Sequence, residues 1–155
     1  MGNMNGTENE KRHAKDVLLS IKGTQQNDGV EEPVELVTHG EYYIRGDKHY
    51  ILYEEVSDMD RGEKDTKCII KLTEKTVELT KRGGTDVHLF FEEGRYHISD
   101  YAMAMGSLQL GVMTNKVRVS PTDGGLVAEV IYTVELNHNL INECHMIIKA
   151  EGLQV

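Results

Sequence analysis

Across residues 15–151 the chain runs as short β-branched and aromatic stretches, broken by turn residues about every ten positions. Few folds accommodate that rhythm. Alternating apolar and polar residues make strands with one buried face, and closely spaced turns make sequence neighbours into sheet neighbours. The clearest stretch places Leu126, Ala128, Val130, Tyr132, Val134 and Leu136 on one face. Glu129, Thr133 and Glu135 lie on the other, with Val127 and Ile131 as apolar exceptions. This is a half-buried antiparallel strand, because a parallel strand covered on both faces reads as a continuous apolar run.

The remaining strands follow the same logic. Val17, Leu19 and Ile21 share a face. Residues 25–33 read as a polar, acidic loop, and residues 34–45 as an extended segment bent or bulged at Gly40. Gly46-Asp47-Lys48 turns into residues 50–53; strands follow at 67–73, 76–81 and 87–91. Glu93-Gly94 forms a hairpin into residues 96–103, residues 107–114 follow, and Thr122-Asp123-Gly124-Gly125 is a second hairpin signal. The last strand covers residues 140–149, and residues 101–106, the one candidate for a helical turn, read better as extended. Two prolines in 155 residues suit long strands, since proline removes a ladder donor. The expectation is all-β: a single antiparallel up-and-down barrel of about 8–10 strands over residues 15–155, behind a disordered polar tail at 1–14.

Charge narrows the partners. A formal net charge of −9 with no concentrated basic footprint argues against nucleic acid. Cys68 and Cys144 make no disulfide framework and read as small, buried, reduced side chains. The first residues lack the apolar core of a secretion signal, and no stretch approaches the roughly 20 apolar residues of a membrane span. The expected compartment is the cytoplasm, with no membrane partner.

An ordered set of short segments carries a likeness to a known family. Tyr50-Ile51-Leu52-Tyr53-Glu54-Glu55 resembles a YxxYEE strand. It leads through Gly62 to Thr66-Lys67-Cys68-Ile69-Ile70-Lys71, which is similar to a TTIK-type strand. Val77-Glu78-Leu79, Arg82-Gly83, Leu89-Phe90-Phe91, Tyr101, Gly106-Ser107-Leu108, Gly125-Leu126 and Tyr132 follow in order. The set resembles the YwiB-like family of small bacterial proteins over roughly residues 15–150. The resemblance implies a calycin-like (lipocalin-like) β-barrel and brings no assigned biochemical function. Ala102-Met103-Ala104-Met105-Gly106 stands where a Thr-Pro-Tyr-Gly type segment belongs, and Cys68 and Ile69 replace more polar residues.

Chemistry-bearing clusters are sparse. Asp58-x-Asp60 before Gly62 has the carboxylates of a calcium loop, but the glycine is misplaced and Ile69 holds the position that needs a glutamate. If Glu92 pairs with Arg95, His88 and His97 become diagonal neighbours roughly 7–8 Å apart, too few ligands for zinc. Cys144 and His145 point to opposite faces of one strand. No catalytic residue, metal ligand or cofactor is designated.

Tyrosine remains. A closed barrel of this size is either filled or holds one small ligand. Tyr50, Tyr53, Tyr101 and Tyr132, with Tyr42 or Tyr43, are candidates to line such a cavity; Glu55, Lys71 and Arg82 are candidates to anchor a polar group. The competing reading is that these rings pack the core. Three functions stay open: a barrel binding a small, partly apolar molecule; a filled barrel that contacts another protein or a second copy of itself; and an enzyme using Glu54 or Glu55 as general acid or base. A void of roughly 300 Å³ or more separates the first from the second.

Overall fold

The computed structural model describes residues 14–27, 30–56, 65–103 and 106–153. They form ten strands: β1 (Lys15–Asn27), β2 (Val30–Arg45), β3 (Lys48–Glu55), β4 (Thr66–Leu72), β5 (Thr76–Arg82), β6 (Asp86–Glu92), β7 (Tyr96–Met103), β8 (Gly106–Pro121), β9 (Gly125–Leu136) and β10 (Asn139–Gly152). Each strand pairs antiparallel with the next, and β10 returns to β1, so the meander closes into a barrel. No helix occurs among the described residues. The all-β up-and-down barrel expected from the alternation is the fold found; the expected tail lies outside the described residues, except for Ala14.

Two local expectations are corrected. Residues 25–27 and 30–33 are not a loop: β1 and β2 stay in register to Asn27↔Val30. Ladder bonds are made by the backbone, so polar side chains do not end a strand whose partner continues. Gly40 is not a bulge either, since the β1–β2 register passes through Val17↔Gly40 unbroken. The glycine instead permits close approach: a Cβ there would stand 3.1 Å from the Leu52 carbonyl oxygen. Register shifts occur instead in β8, between Thr114 and Lys116, and in β10, between Leu140 and Asn142.

The barrel wall has two seams. β2 and β3 pair only where Glu41–Arg45 meets Lys48–Leu52. β6 and β7 pair only at Asp86↔Ala102 and Val87↔Tyr101. The barrel is therefore two curved sheets, β2-β1-β10-β9-β8-β7 and β3-β4-β5-β6, joined at two corners. β8 holds the turn that joins β6 to β7. The Gly94 N–H donates to the Thr114 carbonyl (2.8 Å), and the Thr114 N–H donates to the Arg95 carbonyl (3.1 Å). Beyond the bulge, the Val117 N–H donates to a Glu93 carboxylate oxygen at 3.0 Å, which holds that carboxyl below its usual pKa.

Packing is uneven along the barrel axis. At the end where β1 begins and β10 finishes, which we call the floor, Val17, Leu19, Leu72, Val77, Phe91, Leu126, Ala128 and Ala150 are buried. Tyr42 closes the floor, its hydroxyl 2.7 Å from His49 Nδ1 and its ring stacked on that imidazole. At the other end, the mouth, the inward positions Ile21, Leu36, Leu79, Leu89 and Tyr132 are only partly buried. The barrel is a cup, more closely packed at the floor than at the mouth. The contrast is one of degree: Val87, Thr66 and Cys68 are buried at the mouth end, and Val119 is only partly buried near the floor. An open pocket of ≈ 410 Å³ also lies at the floor beside Tyr42 and His49.

Candidate functional site

A cavity of ≈ 400 Å³ lies at the mouth. Its walls are inward positions of six strands: Ile21 of β1, Leu36 of β2, Tyr53 and Glu55 of β3, Ile70 of β4, Val77, Leu79 and Lys81 of β5, and Met146 and Ile148 of β10. Val34 and Glu35 edge it. Strand alternation explains the set, because every second residue faces inward.

The polar part of the wall is one in-register row. Tyr53 pairs with Cys68 across β3–β4, and Cys68 pairs with Lys81 across β4–β5. Glu55, two residues beyond Tyr53 on the same face, accepts from Lys81 Nζ at 2.7 Å. That bond spans from β5 to β3 over the small Cys68 side chain. Burial pushes the Tyr53 hydroxyl well above the usual phenol value, with Cys68 and Glu55 adding to the effect. Burial, and then the Glu55 charge, also push the Cys68 thiol up. A thiol held protonated is a weak nucleophile.

A second row lies in the other sheet. Thr114, Tyr132 and Cys144 are in register across β8, β9 and β10. Tyr132 packs on Phe91 with ring centroids 4.7 Å apart, and burial raises both its hydroxyl and the Cys144 thiol. Thr114 Oγ1 is buried without a hydrogen-bond partner among the described residues.

The structure sorts the residues singled out from sequence. Tyr53 and Glu55 line the cavity. Tyr132 faces inward, but against Phe91 rather than the cavity. Tyr101 pairs with the buried Val87 and so shares the inner face, outside the cavity lining. Tyr50 and Lys71 are corrected: they stand on the outer wall, where Tyr50 stacks on Tyr43 (4.9 Å) and Lys71 Nζ lies 5.9 Å from the Tyr50 ring centroid. Their inward neighbours are the buried Ile51 and Ile70. Arg82 is corrected as well. It is exposed and bonds the Lys81 carbonyl, while the adjacent Lys81 faces inward. Sequence reasoning missed Lys81 as the inward-facing cation, although Val77, Leu79 and Lys81 continue one period-two face.

The other clusters are surface features. His88 and His97 border one open pocket with Phe90, yet each has its own carboxylate: His88 with Glu78 and His97 with Glu92, both at 3.2 Å. The expected Glu92–Arg95 turn is present, with the Arg95 N–H donating to the Glu92 carbonyl at 2.9 Å and His97 meeting Phe90 edge-on across it, although β6 and β7 make ladder pairs only at Asp86↔Ala102 and Val87↔Tyr101. Among the described residues no three His, Cys, Asp or Glu side chains converge as a metal site. Asp58 and Asp60 lie outside the described residues. A larger open groove of ≈ 620 Å³ follows the β2–β3 seam, past Thr38, Gly40, Leu52 and Ile69, and reaches Tyr53 and Cys68.

Comparison with known proteins adds the lineage. The model of a family described as "Domain of unknown function (DUF1934)" matches residues 19–148. The chain is 29% identical over 102 residues to the uncharacterized beta-barrel protein YwiB of Bacillus subtilis (strain 168), covering 66% of this chain and 69% of that protein. The crystal structure of the ywiB protein from Bacillus subtilis superposes with a TM-score of 0.78 at 24% identity, covering 96% of this chain and 99% of that one. That likeness concerns the fold.

Proposed function

The chain belongs to the DUF1934 family, and from that premise we propose that it is a binding barrel. It holds one small, partly apolar molecule in the mouth cavity, with the molecule's polar group against Tyr53, Glu55 and Lys81. One observation carries this reading: a cavity of ≈ 400 Å³ whose inner wall is apolar apart from that row. Cavities of this size with a few convergent polar groups are the usual form of small-molecule sites. The enzyme reading draws less support, because Glu54 is exposed and Glu55 is engaged by Lys81. Native mass spectrometry on protein purified gently from its own host is the test. A discrete added mass, lost on denaturation and lost when Leu79→Trp fills the cavity, is the expected result. A bare mass in every preparation refutes occupancy by a resident ligand.

A further inference from the structure

We infer that the mouth cavity selects a net-neutral, amide-type molecule: an apolar body carrying a hydrogen-bond donor beside an acceptor. This rests on reading the cavity as a ligand site, and it follows from the state of the two charges in its wall. Glu55 and Lys81 already face each other at 2.7 Å, with side chains 35% and 21% exposed. A carboxylate ligand that takes a free donor of Lys81 sits beside the Glu55 charge, and one that displaces Glu55 leaves it without its partner. An ammonium ligand reaching Glu55 meets Lys81 in the same way. Either ion brings a third charge to a closed pair, and so places like charges together or strips one member of its partner in a partly dry site, a costly arrangement.

A group with a donor next to an acceptor avoids that cost. An ammonium has three N–H donors and a carboxylate several acceptor positions, so the pair stays closed while each partner takes one more bond. The ligand N–H meets the Glu55 carboxylate, and the ligand carbonyl meets the Lys81 ammonium or the Tyr53 hydroxyl, which shares the row. The apolar body rests on Ile21, Leu79 and Met146. Exposed Glu35 edges the same cavity, and the chain carries a net charge of −9, so long-range attraction gives a free anion no advantage.

The test is a ranking of probes with six-carbon bodies on the full chain at neutral pH: hexanamide, ε-caprolactam, hexanoate and hexylammonium. Binding is read by titration of the labelled Met146 and Leu79 methyl resonances. The amide and the lactam are expected to bind about tenfold or more tighter than either ion. Lys81→Met is expected to turn the preference to hexylammonium, and Glu55→Gln to hexanoate. A wild-type protein that prefers either ion overturns the inference, and this ranking decides alone should a variant not fold. Benzene, which has no polar group, tests the cavity separately. Benzene binding without amide binding overturns the inference and leaves the binding barrel standing; no binding by any probe overturns both.

Discussion

Leu19 and Ile21 stand two residues apart on the inner face of β1, one in the floor and the other in the mouth. Leu19 is 0% exposed and pairs with the buried Ala150, so its side chain is enclosed. Ile21 is partly buried and borders the cavity. Truncating Leu19 to alanine removes methyl groups from a closed site and leaves a new void, at a cost of about 3 kcal/mol. Truncating Ile21 widens a space that already exists and removes less buried area, at a cost of about 1 kcal/mol. The chain has no tryptophan, so urea unfolding is followed by far-ultraviolet circular dichroism or tyrosine fluorescence. With a slope of about 2 kcal/mol per molar urea, the midpoint falls by about 1.5 M for Leu19→Ala and by about 0.5 M for Ile21→Ala. Losses equal within about 0.5 kcal/mol would refute the cup, because they would mean that both ends are packed alike.

Two further outcomes follow from the titrating groups. Burial lowers the His49 pKa from its usual 6.5, so the folded state prefers the neutral ring and the unfolded chain protonates first. The stability this group contributes is complete above about pH 6.5 and is lost as pH falls below it. The gap in thermal midpoint between wild type and His49→Gln is therefore expected to narrow from pH 7.5 to 5.5, and a constant gap counts against a half-buried neutral imidazole. Cys68 and Cys144 are 1% and 5% exposed, and burial pushes both thiols above their usual value. A disulfide-exchange reagent is expected to label neither in the native protein and both in urea; rapid native labelling would show that the mouth row opens.

The alternation in residues 126–136 already identifies a half-buried strand, and its inward face is the one the sequence assigns: Leu126, Ala128 and Val130 are buried. Where every residue is apolar or amphipathic, the pattern loses its parity. In Tyr50-Ile51-Leu52-Tyr53 either alternate pair can face inward, and the choice is made by pairing with β4, which buries Ile51 and Tyr53 opposite Ile70 and Cys68. A shift of one residue reverses every such assignment, which is why Tyr50 and Lys71 went to the wrong side of the wall. At Lys81-Arg82 the apolar signal has ended, and two basic neighbours look equivalent until the register fixes which faces inward. The seams left no trace in side-chain pattern at all, because they are missing backbone pairings.

The cavity itself has a cause in strand length. β1, β2, β8, β9 and β10 run for 12 to 16 residues, whereas β3, β4, β5 and β6 run for 7 or 8. Apart from β7, which has 8 residues, one sheet is thus taller than the other. Where both walls are present, at the floor, their inward side chains interdigitate and exclude space. Towards the mouth the strands of the shorter wall end at Glu55, Thr66 and Arg82, and among the described residues Ile21, Leu36 and Met146 have fewer side chains opposite them. The last inward positions of a wall are the ones nearest water, which is where a charged pair is tolerated and an apolar residue gains least. The same inequality of length that leaves room for a guest therefore puts the Glu55–Lys81 pair at the entrance to it.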